Sequence, residues 1–178
     1  MSSQNFVVPP RSWDSIGQVA DQFRRNLGLE STPYMPVIDI LEKVLDNQLN
    51  FVRFEVGDDH DMGGAEGLTD PNGEFIIIHQ DVYEAAVNGD GRARFTVAHE
   101  IGHLFLHTGI PLARASNDGS IKPFRMSEPQ ANQFAAEFLM PRHLSLRHYS
   151  RAELCTVFGV SEEAASNRIK FLQSRGLI

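Results

Sequence analysis

The stretch Phe95-Thr96-Val97-Ala98-His99-Glu100-Ile101-Gly102-His103-Leu104-Phe105-Leu106-His107 decides how this chain is read. It holds the pattern H-E-x-x-H in a run with helical character. On an α-helix, positions four apart lie about 40° from each other around the axis, one turn along. His99 and His103 therefore project from one face and can bind one metal ion, while Glu100 can reach a water on that metal. Three fixed residues alone turn up by chance in on the order of one chain in a hundred of this length. The pattern therefore needs a third ligand. His107 fails in that role on a straight helix. It stands about 12 Å of axial rise from His99, whereas ligand nitrogens sit about 2 Å from zinc.

Carboxylates downstream of His103 include Asp118, Glu128, Glu137 and Glu153. Ser127 is positioned to cap a helix from Glu128 to about Met140, which Pro141 stops. Its apolar stripe is Ala131, Phe134, Ala135, Phe138 and Leu139, at helical spacing. Glu128 lies at the edge of that stripe, and Glu137, about 180° further round, faces away toward solvent. If the stripe packs on the histidine helix, Glu128 points at the metal. The bland alternative for Glu128 is a first-turn carboxylate facing the helix dipole. His60, His143 and His148 read as surface residues, while His79, at a strand end before the histidine helix, could face the site.

Outward from these two helices, residues 1–12 read as a flexible N-terminal arm and residues 13–178 as a single domain. Ser12 or Asp14 caps a helix from about Trp13 to Asn26, and a second runs from Tyr34-Met35-Pro36 to about Asn47. Leu49–Val56 alternates as a strand, Gly63–Thr69 gives another, and Glu74–His79, rich in β-branched residues, a third. Together they predict an α+β fold with a small, mainly antiparallel sheet packed on the histidine helix. Asp81–Asn88 reads as a short helix or loop, and 108–125 as a surface loop rich in Ser, Asn, Asp and Gly. Residues 150–178 form a helical C-terminal part, broken at Phe158-Gly159-Val160-Ser161.

Composition excludes several classes. No apolar run approaches the 18 or so residues of a membrane span, and the first ten residues lack the basic-then-apolar order of a secretory signal. One cysteine, Cys155 among Leu154, Val157 and Phe158, reads as core packing and suits a reducing cytoplasm. A net charge of −7 opposes a broad electrostatic grip on DNA or on an anionic membrane.

Beyond the first motif, Glu128-Pro129-Gln130-Ala131-Asn132-Gln133-Phe134-Ala135-Ala136-Glu137-Phe138-Leu139-Met140-Pro141 follows the histidine helix, and Phe158-Gly159-Val160-Ser161 with Arg168 follows later. In these residues, and in Arg94–Leu104, the chain resembles the ImmA/IrrE-type zinc metallopeptidases. The resemblance covers roughly residues 13–178 and is strongest from 94 to 141. It implies a zincin-like minimal metallopeptidase domain with a gluzincin-like site. His99, His103 and Glu128 match its metal ligands and Glu100 its general base. The implied cofactor is one Zn2+, with Mn2+ as another divalent option. The implied activity is zinc-dependent endopeptidase action on a separate helix-turn-helix repressor of phage, mobile-element, toxin-antitoxin-like or stress-response genes.

For the oxyanion or for substrate contacts, Tyr83, His107 and Tyr149 are the candidates. The strand Glu74–His79 could offer an edge on which an extended substrate pairs. A reading from another class takes Leu154–Ile169 as a helix-turn-helix, with Arg168, Lys170 and Arg175 on DNA. Glu162 and Glu163 at the start of its recognition helix oppose that reading, since they would face phosphates. A further alternative keeps the metal but makes the protein a non-proteolytic regulator that binds its repressor without cutting it.

Overall fold

In a computed structural model, which describes residues 5–114, 121–147 and 150–178, the chain opens with β1 (Phe6–Val7) and α1 (Trp13–Asn26). The Ser12 side chain accepts from the Ser15 amide, as the cap reading expects. Next comes α2 (Val37–Asp39), which widens into a π-helical run over Ile40–Gln48. Then follow β2 (Arg53–Gly57), α3 (Asp59–Met62), β3 (Gly67–Thr69), β4 (Phe75–His79) and α4 (Gln80–Val87). The histidine helix is α5 (Gly91–His107). After it lie β5 (Ala113–Arg114), a 3-10 turn (Pro123–Arg125), α6 (Ser127–Leu139), α7 (Arg142–Ser145), α8 (Arg151–Phe158) and α9 (Glu162–Ser174). No helix among the described residues is long and apolar enough to cross a membrane.

The sheet corrects the antiparallel expectation. Its order is β2-β4-β3, with β2 parallel to β4 and β3 antiparallel to it. Alternation of apolar and polar residues fixes which face of a strand is buried but not which way its neighbour runs. The chain leaves β2 and crosses through α3 and the far-edge strand β3 before returning along β4. β4 is therefore central, with Ile76 and Ile78 fully buried, and cannot be the substrate-docking edge that its composition suggested. β3 is the edge strand that packs on α5.

The core joins α1, α5 and α6, and its interior is built from Ile16, Val97, Ile101, Phe134 and Phe138. Residues 5–12, expected as a loose arm, run along this layer: β1 pairs antiparallel with β5, and Val8 is buried. Ser127 does not cap α6. Its hydroxyl accepts from the Phe6 amide instead, at 3.0 Å, and Met126 occupies the cap position.

Glu137 departs furthest from expectation. It does lie opposite Glu128 on α6, but there α1 and α9 cover it, leaving it 2% exposed. Arg168 donates to its Oε2 at 2.7 Å, and Arg142 donates to Oε1 from both Nε and Nη2, at 3.0 and 2.8 Å. A helix with one apolar stripe was read as half-solvated; in fact both faces are covered, and the second is closed by ion pairs. Removing the anion would strand the buried Arg168, at a cost of about 3–5 kcal/mol. At roughly 2–4 °C per kcal/mol for a domain of this size, Glu137→Ala is expected to lower the thermal midpoint by about 10 °C. Calorimetry checks this, and an unchanged midpoint would contradict the burial of that pair.

Candidate metal centre

The 17-residue helix α5 starts at Asp90, whose side chain accepts from the Ala93 amide. It is buried over most of its length, so His99 and His103 do not sit on an exposed surface. Gly102 stands between them on the side facing α6. A Cβ there would come within 3.0 Å of the Phe134 ring and 3.2 Å of the Ala131 carbonyl oxygen. The missing side chain lets α6 approach closely, and the first turn of α6 then lays Glu128 against both imidazoles.

The Nε2 atoms of His99 and His103 are 3.0 Å apart. Glu128 closes the third corner, with Oε2 at 3.2 Å from His99 Nε2 and Oε1 at 3.2 Å from His103 Nε2. One ligand atom from each residue falls within 4.8 Å of the others, a group that could hold one ion. Two imidazole nitrogens and a carboxylate are a donor set that suits a catalytic zinc site. The opposite ring nitrogen of each histidine has its own partner. His99 Nδ1 meets Asn132 Oδ1 at 2.9 Å, so Nδ1 carries a hydrogen, and Nε2, turned to Glu128, is the nitrogen an ion would take once its proton leaves. Among the described residues, the other grouping of metal-capable side chains, Asp58, His60 and Asp61, is exposed.

The electrostatics agree with this geometry. Burial alone would raise the Glu128 carboxyl, but hydrogen bonds from His103 and His99 outweigh it and hold the group well below the usual carboxylate range. Burial disfavours charge on His99, yet the bond to Glu128 and the nearby charge of Glu100 leave its pKa raised. His107 goes the other way, to about 4, through burial and then the neighbouring His103.

Glu100 is 7% exposed and has its own support. The Thr69 hydroxyl donates to its Oε2 at 2.7 Å, with the Glu100 carbonyl oxygen as an alternative acceptor at 3.0 Å. Gly67, two residues earlier on β3, lies so close that a Cβ would fall 2.7 Å from Glu100 Cγ. A cavity of about 480 Å³ opens beside His99 and Glu100 and extends past Phe95 and Trp13 to Phe171 on α9.

The remaining candidates sit elsewhere. Tyr83 donates its hydroxyl to Glu42 Oε1 at 2.6 Å and lies tilted against Phe54, outside the cavity, so the assignment to the oxyanion or substrate is corrected. His107 is 4% exposed and lies behind His103, where it cannot touch substrate. Tyr149 falls outside the described residues, as do Asp118 and His148. His79 turns to Asp59, 3.0 Å away, and caps α4 by accepting from the Asp81 amide. Arg168 and Arg175, offered as DNA contacts, are committed to Glu137 and Asp14. Sequence reading did not find Thr69, Gln130 or Asn132. Asn132 carried a signal, one turn beyond Glu128 on the same face.

A family model described as the IrrE N-terminal-like domain, a peptidase family, matches residues 58–170. Among curated proteins nothing matches. Among solved structures, a Mycobacterium tuberculosis transcriptional regulator is similar at 18% identity, with a TM-score of 0.59. That match covers 90% of this chain and 47% of the regulator, so the chain spans about half the length of the structure it resembles.

Metal binding by these three residues would have a defined pH dependence, because a proton and a metal would compete for the same Nε2. The His99 pKa is raised above 6.5, so its proton persists to higher pH and competition starts above that value. Apparent zinc affinity, measured by chelator competition, is expected to be flat in mild alkali and to decline already above about pH 6.5. Affinity that stays flat down to about pH 5 would contradict a ligand role for His99.

Proposed function

The chain belongs to the IrrE N-terminal-like peptidase family, and from that premise we propose that it is a zinc-dependent endopeptidase that cleaves and inactivates a helix-turn-helix transcriptional repressor. The observation that carries this reading is the convergence of His99 Nε2, His103 Nε2 and the Glu128 carboxylate beside a separately held Glu100. Those three residues would hold the ion, and Zn2+ so bound would supply Lewis acidity toward a water and the scissile carbonyl.

The chain's own residues account for the proton movements. Glu100 takes the proton from the attacking water and delivers it to the leaving amide nitrogen. Thr69 fixes Oε2, so Oε1, on the side of Gly67, is the atom that carries the proton. The edge strand β3 runs beside this carboxylate, and its outer side suits main-chain pairing with an extended substrate segment. Substrate side chains would then fall into the cavity between Phe95 and Phe171. With Tyr83 and His107 turned elsewhere, Tyr149 is our candidate donor to the oxyanion.

Two lines support a repressor as the substrate. The ImmA/IrrE-type resemblance in residues 94–141 implies one, and the M. tuberculosis protein of similar fold is named a transcriptional regulator. The same name favours a second reading, in which the metal-containing protein binds a repressor or DNA without cutting.

Glu100→Gln separates the two. Co-incubated with a repressor encoded beside it, the wild-type protein is expected to cleave with zinc and to stop with a chelator. The variant is expected to keep its metal and its fold and to lose about 10²–10⁴-fold in cleavage rate. Undiminished cleavage would remove Glu100 from the mechanism, and binding without cleavage by the wild type would favour the second reading.

A further inference from the structure

A chain of hydrogen bonds runs from His103 away from the metal position, and its direction can be fixed from its far end. Gln130 Nε2 lies 3.0 Å from the Pro9 carbonyl oxygen and 2.8 Å from that of Phe124. Both partners are acceptors only, so this atom must be the amide nitrogen and both its hydrogens are used. Gln130 Oε1 is then an acceptor, and at 3.1 Å it faces His107 Nε2, which must donate. A neutral imidazole that donates from Nε2 accepts at Nδ1. His107 Nδ1 is 3.0 Å from His103 Nδ1, so His103 donates there, and its Nε2, facing Glu128 and His99, is the nitrogen left to give a lone pair to an ion that displaces its proton.

We propose that His107 is a positioning residue for the metal centre, which selects the His103 tautomer and ring orientation through a bond chain anchored on the backbone at Pro9 and Phe124. The inference rests on the metal-site reading and deepens it. No carboxylate takes part: Gln130 is fully buried and His107 nearly so, and their bonding capacity along this chain is used up. A reversed chain would set two acceptors, Gln130 Oε1 and a carbonyl oxygen, against each other. The burial of both side chains makes that error costly, because a buried polar group without a partner has no water to replace it. The Nδ1 hydrogen and the orientation of the His103 ring are therefore set before any ion arrives.

The anchor also explains why residues 5–11 pack where they do. Asn5 Oδ1 accepts from the Glu128 amide at 3.4 Å and the Phe6 amide donates to Ser127. The Arg11 amide donates to the Phe124 carbonyl at 3.0 Å. The N-terminal segment thus grips the turn that bears Glu128 and, through Gln130, the ring of His103.

The test is zinc affinity by chelator competition on full-length protein, with His107→Met, His107→Asn and Gln130→Met compared with the wild type. Methionine fills the space without an acceptor at the Nδ1 position, whereas the asparagine amide oxygen can take that position. His107→Met is expected to bind zinc 10–100-fold more weakly, as loss of such outer partners does. His107→Asn is expected to recover most of that loss, and Gln130→Met to fall between them. The cobalt-loaded proteins add a spectroscopic readout, with the visible bands expected to shift in His107→Met and to return in His107→Asn. Wild-type affinity in His107→Met, or equal losses in His107→Met and His107→Asn, would overturn the proposal. If His107→Met does not fold, the comparison of His107→Asn with Gln130→Met decides: wild-type affinity in Gln130→Met overturns it. A wild-type protein that binds no zinc would instead remove the metal-site reading beneath it.

Discussion

The close crossing of α5 and α6 at Gly102 is the constraint on which the rest of the structure depends. Two histidines one turn apart follow from α-helix geometry alone, but a third ligand must come from elsewhere. Glu128 can serve only if the helix axes come near enough for a short carboxylate to span both rings. A side chain at position 102 would push on Phe134 and on the Ala131 carbonyl, which are core and backbone and cannot swing aside. Phe134 itself is fully buried and packs against Phe105 and Phe138, so the crossing and the hydrophobic core are one arrangement.

Around that crossing, α6 is held on all sides by polar contacts that its own stripe does not show. Below, Glu137 joins it to Arg142 and, through Arg168, to α9. Arg142 and Arg175 share Asp14, which brings α1 into the same network. Above, Gln130 and the Glu128 amide reach the N-terminal segment. Buried ion pairs contribute little net stability against an apolar replacement. Their effect is directional, fixing the rotation of α6 about its axis and so the aim of Glu128. The candidate site and the packing meet in one helix.

The legible part of the molecule was the part governed by periodicity. That His99 and His103 share a face was readable from spacing, and that Glu128 turns toward them from its place at the edge of a stripe, because helix geometry carries those relations locally. Relations between distant segments were not. The parallel pairing of β2 with β4 depends on the path of the chain through α3 and β3. Thr69 reaches Glu100 across 31 positions, and no local signal marks it. Glu137 looked solvent-facing because a single helix cannot reveal what covers its second face. His107 lies buried behind His103, a place that only its distant partner Gln130 explains. Residues 5–11 seemed loose because so short a segment has no core of its own; its value lies in backbone groups that pair with residues more than a hundred positions away.

The most direct measurement is anomalous diffraction at the zinc edge from crystals of the zinc-loaded protein. The account predicts one strong peak per chain, about 2.0–2.2 Å from His99 Nε2, His103 Nε2 and a Glu128 carboxylate oxygen. It also predicts the Glu100 carboxylate next to the metal's open position and outside its ligand set. A peak bound by the Asp58, His60 and Asp61 group instead, or one lacking Glu128 among its ligands, would contradict it.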